Sequence, residues 1–269
     1  WDLYKKAHTP WKWHKEIFLL AKKLNIVCFS SPFDETAVNF LEKLKTPFYK
    51  IASFEITHLP LIKKVAETKK PIIMSTGLAS KKEIKEAVRM AKKNGCPKII
   101  LMKCTSAYPA SISHSNLKTI IDLKKTFKCD VGFSDHTLGI GAALAAIATG
   151  ASVIEKHFTL SKKDKGVDTA FSMDVSELKL LVKEAKNAYL GLGKVSYKLS
   201  KEEKKSKSFR RSIYASRNIQ KGEIFSNLNI KVIRPSYGLS SKYYFGLLGK
   251  KSNRKIKAAR PLKKSDLRS

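Results

Sequence analysis

Short runs of aliphatic and β-branched residues recur along the chain, each followed by a stretch whose apolar positions fall three and four apart. The runs cover 25–30, 48–52, 71–75, 98–103, 130–134 and 152–157, and they predict six β-strands. The intervening amphipathic stretches at 35–44, 59–68, 81–94 and 116–127 predict helices. Strands that alternate with helices imply βαβ units and a parallel sheet. No glycine-rich phosphate turn of the GxGxxG type follows any strand, which weighs against a dinucleotide-binding doubly wound sheet. Polar residues instead close strand after strand: Ser30 and Ser31, Lys50 and Ser53, Ser75 and Thr76, Lys103 and Thr105, Ser134 and His136, then His157. In a barrel those ends converge on one mouth, where the active sites of that fold lie. The expected fold is therefore α/β, a (β/α)8 TIM barrel. Six units are present where eight are needed, and the chain opens Trp1-Asp2-Leu3-Tyr4 without a Met. The expectation is a sequence that begins inside a longer protein, lacking the barrel's first two strands.

After the last strand a helix is predicted over 175–190, with Gly191 and Gly193 as stop signals. The charged segment 201–207 has the composition of a linker. From Phe209 onward the pattern changes to short strands with Gly and Pro turns. The expected division is a partial barrel over 1–195, a linker over 196–208 and a small β-rich domain over 209–269.

The formal charge of +32 raises the possibility of a nucleic-acid partner. Only eight of the 54 basic residues are Arg, and the lysines are spread over every predicted helix. Phosphate and base readers favour the planar arginine fork, so the charge is read as lysine-rich solvated faces and no nucleic-acid partner is expected. No run of about 18 uncharged apolar residues exists and the start lacks a signal-peptide pattern, so no membrane association is expected. Cys28, Cys96, Cys104 and Cys129 show no CxxC spacing, and free thiols of this kind suit a reducing cytoplasm.

His136 and His157, in SDHT and EKHFT, end successive strands. Two imidazoles at one barrel mouth suit a divalent metal whose other positions are filled by solvent and substrate, although each is equally an ordinary polar strand end taken alone. Lys50, followed by Ser53, offers a point charge for a phosphate or carboxylate, with Ser31, Ser75 and Ser134 placed to add donors. Asp168, in DKGVDTAFS, is either a ligand for a polyol hydroxyl or a turn residue beside Gly166. Arg234, in IRPSYG, reads by itself as a surface residue. The aromatic group Trp1, Tyr4, Trp11 and Trp13 with His8 either borders a sugar or packs.

The segments FSSPFD, YKIASFEI, IIMSTG, LMKCTSAYPA, VGFSDHTLGIGAALAAIATGASVIEKHFTL and FRRSIYASRNIQKGEIF follow, in order, the pattern of the sialic acid synthase family. The resemblance covers nearly the whole chain. AHTPW, YKIASFEIT and KCTSAYPA resemble the branch that makes pseudaminic acid rather than the N-acetylneuraminate branch, and the C-terminal region resembles the antifreeze-like (SAF) domain. The resemblance implies a cytoplasmic transferase that condenses phosphoenolpyruvate with an open-chain amino-sugar aldehyde, with N-acetylneuraminate or legionaminate synthesis as the alternative product and flagellar or surface glycosylation as the use. It implies that His136 and His157 hold Mn2+ or Mg2+, that Ser31, Lys50, Ser53, Ser75, Ser106 and Ser134 line the phosphoenolpyruvate site, and that Asp168 binds a sugar hydroxyl. It further implies a homodimer in which Arg234 of the SAF domain reaches a partner subunit's site. The family's first two strands carry a catalytic glutamate, a role Glu55 does not fill, so these residues alone are expected to be inactive. A non-catalytic sugar- or phosphate-binding remnant is the reading from another class.

Overall fold

The computed structural model describes residues 8–267, which divide into two compact units between Gly193 and Lys194. The first unit opens with helices α1 (Trp11–Lys23) and α2 (Glu35–Lys43). Strands and helices then alternate: β1 (Tyr49–Ile51), α3 (Leu59–Glu67), β2 (Ile72–Ser75), α4 (Lys81–Lys93), β3 (Ile99–Cys104), α5 (Lys118–Phe127), β4 (Asp130–Asp135), α6 (Gly141–Ala148), β5 (Val153–Lys156) and α7 (Val175–Leu192). Local chemistry fixes several helix starts. Ser80 with Glu83 and Asp174 with Glu177 form capping boxes that satisfy the first free amides of α4 and α7.

All five strands are parallel and lie in chain order, β1-β2-β3-β4-β5. No strand is inserted out of order, so the sheet has no switch point, and crossovers of one hand bring the helices to one face. On that face Tyr49, Ile51, Met74, Leu101, Val131 and Phe133 share one core with Leu61, Val65, Ala87 and Ile120 of the helices. The alternate positions, among them Lys50, Ser75, Met102, Cys104, Ser134 and Glu155, turn to the other face.

The sheet is curled. Laid flat, β1 and β5 would stand about 19 Å apart, four strand spacings. Yet Lys50 Nζ on β1 lies 3.3 Å from Glu155 Oε1 on β5. Side chains of that length meet only if the strands wrap around a common axis, as in half of a barrel. The inner face is correspondingly crowded: a Cβ on Gly132 would fall 2.3 Å from Met102 Sδ and 2.6 Å from the Val153 carbonyl oxygen. Only glycine fits that rung.

One expectation is corrected. Residues 25–30 form no strand; a single long bond, Lys50 N–H to the Ser30 carbonyl at 3.4 Å, joins them to β1. An apolar run is necessary for a strand, but the state itself requires a ladder, and here it is absent. Trp11 and Trp13 belong to helix α1; of the two alternatives for the aromatic group, Trp11 packs, stacked on Phe40 of α2 at 4.5 Å, while Trp13 is exposed. Trp1 and Tyr4 lie outside the described residues.

The second unit contains a short helix α8 (Lys201–Lys205), the antiparallel pair β6 (Ser212–Ala215) and β7 (Ile230–Ile233), and a one-turn helix α9 (Tyr244–Leu247). Isolated bridges such as Ile219 to Ile256 and Ile224 to Lys251 extend the β character. Ile213, Ile219, Phe225, Ile230, Ile256 and Leu262 form its core. Asp266 closes it. Its fully buried carboxylate accepts from the Lys263 amide at 2.7 Å, Arg254 Nε at 2.6 Å and an Arg260 guanidinium nitrogen at 3.0 Å. No helix among the described residues is long and apolar enough to cross a membrane.

Candidate active site

The C-terminal ends of the strands carry the site. His136 follows the last residue of β4 and His157 the last residue of β5, and their ring centroids lie 5.2 Å apart. Two imidazoles bound through Nε2 to one ion have centroids roughly 4.6–5.3 Å apart. The Nδ1 side of each ring is already engaged. His136 Nδ1 sits 3.1 Å from the Thr105 carbonyl oxygen and His157 Nδ1 lies 3.2 Å from Asp168 Oδ2. A carbonyl or carboxylate oxygen accepts here, so each Nδ1 is the donor, and in the neutral ring each Nε2 keeps its lone pair. This is the outer arrangement that commonly orients metal-binding histidines. Among the described residues no three His, Cys, Asp or Glu side chains converge to hold a metal. The donor set therefore fits a loosely held divalent cation with positions left for water and substrate.

The electrostatics of the two rings differ. Burial, set against the neighbouring Asp168, leaves the His157 imidazole below its ordinary pKa, which favours the neutral ligand form. Burial also disfavours charge on His136, but the Cys104 sulfur 3.9 Å away and the Thr105 carbonyl outweigh it and hold that ring above its ordinary value. For Cys104, burial works upward, but His136 and Ser53 bring the thiol below its usual range. Tyr108 covers the pair, its ring 4.3 Å from His136 and 5.9 Å from His157.

Beside the histidines lies a cluster of hydroxyls. Ser53 Oγ accepts the Gly77 amide at 2.7 Å and stands 3.7 Å from Cys104 Sγ, which in turn is 3.8 Å from Ser106 Oγ. Ser134 Oγ donates to Glu155 Oε1 at 2.7 Å, the same oxygen that faces Lys50. Ser75 is buried on this inner face, and its Oγ has no partner. A buried hydroxyl without a protein partner is unusual in a folded chain, and this one is placed to meet an ordered water or a ligand oxygen. Gly77 is the tight point of the cluster. A Cβ there would fall 2.2 Å from Ser106 Oγ and 2.3 Å from Ser53 Oγ. Gly77→Ala is expected to raise KM for an anionic substrate by at least about tenfold with kcat less affected, the signature of lost ground-state binding in steady-state kinetics.

The structure thus brings Lys50, Ser53, Ser75, Ser106, Ser134, His136, His157 and Asp168 to one end of the sheet. Ser31 is half-buried, just after Ser30, whose carbonyl bonds β1. Arg234 is exposed in the second unit, directly after β7. Glu155 joins the site through Lys50 and Ser134 without being among the residues expected there. Its signal was present: it stands two residues before His157 and so shares its face.

The NeuB family profile matches residues 1–197 and the SAF domain profile residues 210–268. A pseudaminic acid synthase of Campylobacter jejuni subsp. jejuni serotype O:23/36 is 44% identical over 268 residues, covering 100% of this chain and 78% of the relative. An N,N'-diacetyllegionaminic acid synthase of Campylobacter jejuni subsp. jejuni serotype O:2 is 44% identical over 259 residues, covering 95% of this chain and 78% of that protein. Among solved structures, the spore coat polysaccharide biosynthesis protein SpsE of Bacillus subtilis superposes with a TM-score of 0.67 at 33% identity, over 97% of this chain and 79% of that one.

Proposed function

The chain belongs to the NeuB family, and on that premise we propose that it makes pseudaminic acid by condensing phosphoenolpyruvate with 2,4-diacetamido-2,4,6-trideoxy-L-altrose, releasing phosphate. The observation that carries the chemistry is the juxtaposition of two imidazoles, each with Nδ1 engaged, and an inner-face hydroxyl cluster beside Lys50. His136 and His157 would hold Mn2+ or Mg2+, which when bound polarises the sugar aldehyde as a Lewis acid.

The chain's own residues contribute the following roles. Lys50, with the hydroxyls of Ser31, Ser53, Ser75, Ser106 and Ser134, receives the phosphate and carboxylate of phosphoenolpyruvate. Asp168 orients the His157 ring and takes a sugar hydroxyl. C3 of phosphoenolpyruvate then attacks the aldehyde carbon, water adds at C2, and phosphate leaves with cleavage of its C–O bond. Positive charge develops at C2 along this path, and the Glu155 carboxylate, bonded to Ser134 and facing Lys50, provides the opposite charge nearby. The reaction would run in the cytoplasm and feed surface or flagellar glycosylation.

Phosphate release by the full-length protein tests the assignment. Turnover is expected to be highest with the altrose derivative. The 44% identity to an N,N'-diacetyllegionaminic acid synthase keeps a second reading open, and preference for that product's sugar precursor would establish it instead. Preference for N-acetylmannosamine would overturn both.

Arg234, exposed on the SAF unit, is proposed to complete the sugar site across a domain-swapped homodimer. Arg234→Ala is expected to be nearly inactive. Mixed in equal amounts and reassociated with His136→Ala, it should recover about a quarter of the parental activity, because half the dimers carry one intact site. Absence of recovery in verified mixed dimers would place the arginine's action within its own subunit.

A further inference from the structure

We propose that the buried Asp135–Lys156 ion pair is a positioning clamp that fixes the separation and ring orientation of His136 and His157. The inference rests on the reading of those histidines as metal ligands. Asp135 and Lys156 are register partners on the last rungs of β4 and β5, and each immediately precedes one histidine. Alternation sends their side chains to the helix-facing side while the imidazoles take the inner face.

The pair is dry: the Asp135 side chain is 0% exposed and that of Lys156 4%, with Nζ 2.9 Å from Oδ2. A buried ion pair adds little stability by itself, since desolvation offsets attraction and an apolar pair often serves as well. Its other bonds give it a different purpose. Lys156 Nζ also donates to the carbonyl oxygens of Thr137 at 2.7 Å and Gly139 at 3.0 Å, and the Thr137 amide donates to Asp135 Oδ1 at 2.9 Å. One ammonium from β5 therefore grips three oxygens on the chain around and beyond His136. The backbone on both sides of His136 is held by the residue that precedes His157. A compact cation with three donors suits such a cage, where a planar guanidinium does not.

Mn2+ titration calorimetry and thermal unfolding of three proteins test the clamp: the parent, Lys156→Arg, and the double variant Asp135→Leu/Lys156→Met. The double variant replaces the pair with apolar side chains and is expected to melt close to the parent. It should nonetheless bind Mn2+ about 10–100-fold more weakly, the usual consequence of losing outer-shell support. Lys156→Arg keeps the charge and is expected to weaken binding in the same direction; if the double variant does not fold, this one carries the test. An Mn2+ affinity within about twofold of the parent in a folded variant overturns the clamp. A parent that binds no Mn2+ sinks the metal reading alone. The clamp is then read from imidazole nitrogen NMR of the metal-free chain. The Nδ1–H bonds to Thr105 and Asp168 should be present in the parent and lost in the variants, and unchanged resonances would overturn it.

Discussion

Replacing His136 with alanine is expected to lower kcat/KM by about a thousandfold, equivalent to about 4 kcal/mol of transition-state stabilisation. The ring stands 5.2 Å from that of His157 and is fixed at Nδ1 by the Thr105 carbonyl. On the proposed reading, removal takes one of the two imidazole donors from the cation, so Mn2+ affinity should fall in parallel. The two readouts separate a ligand from a merely packed side chain. A loss of activity with unchanged Mn2+ affinity would make His136 a substrate contact. Chelator treatment of the parent should reproduce the defect, and adding Mn2+ should reverse it in the parent alone. Activity that survives both the substitution and chelation would end the two-imidazole account.

The second large effect is expected in the SAF unit. Asp266→Ala should destabilise that unit by about 3 kcal/mol, since it removes a buried carboxylate that accepts from a backbone amide and two arginines. The value stays at the low end for a broken buried pair because both guanidiniums are partly exposed and can rehydrate. The same residue sets a pH dependence. Burial alone would raise the Asp266 pKa, but the Lys263 amide, Arg254 and Arg260 outweigh it and hold the carboxyl below the ordinary range. A group whose folded pKa is depressed stabilises above its unfolded value and loses that contribution as pH falls through the folded one. Calorimetry of the full chain should show the parent's second unit losing stability below about pH 4, where an unfolded aspartate begins to protonate. The Asp266→Ala unit should start lower and change less over the same interval. Parallel curves for the two proteins would remove Asp266 from the acid transition.

Much of the barrel end was legible in the chain because strand alternation and crossover connections are local rules. Lys50, Ser75, Ser134, His136 and His157 could be assigned to one rim from their places at strand ends alone. What local rules do not reach is pairing across the whole sheet. Alternation alone turns Glu155 and Lys156 to opposite faces, but only the curl shows that Glu155 reaches Lys50 on the far strand. Asp168 illustrates the same limit, since its contact with the His157 ring depends on how the loop after β5 folds back. The errors at the N-terminal side have a different origin. Residues 25–30 carry a strand-like composition, yet composition does not create a hydrogen-bonding neighbour. The helix over Trp11–Lys23 was not expected; none of its residues is fully buried, and Trp11 packs by stacking on Phe40.

The Lys50–Glu155 contact also bears on how the protein assembles. The two residues lie roughly a hundred positions apart along the polymer, so their meeting belongs with the long-range closures that make folding slow. In the folded sheet three strands lie between the two, so the curl that joins them involves every intervening βα unit. A nascent or partly folded chain would therefore hold its serines and histidines in fragments of a rim without this charge pair. If the rim holds the proposed anion, completing the curl also completes its site, and a slow final folding phase is expected to coincide with the first appearance of ligand binding.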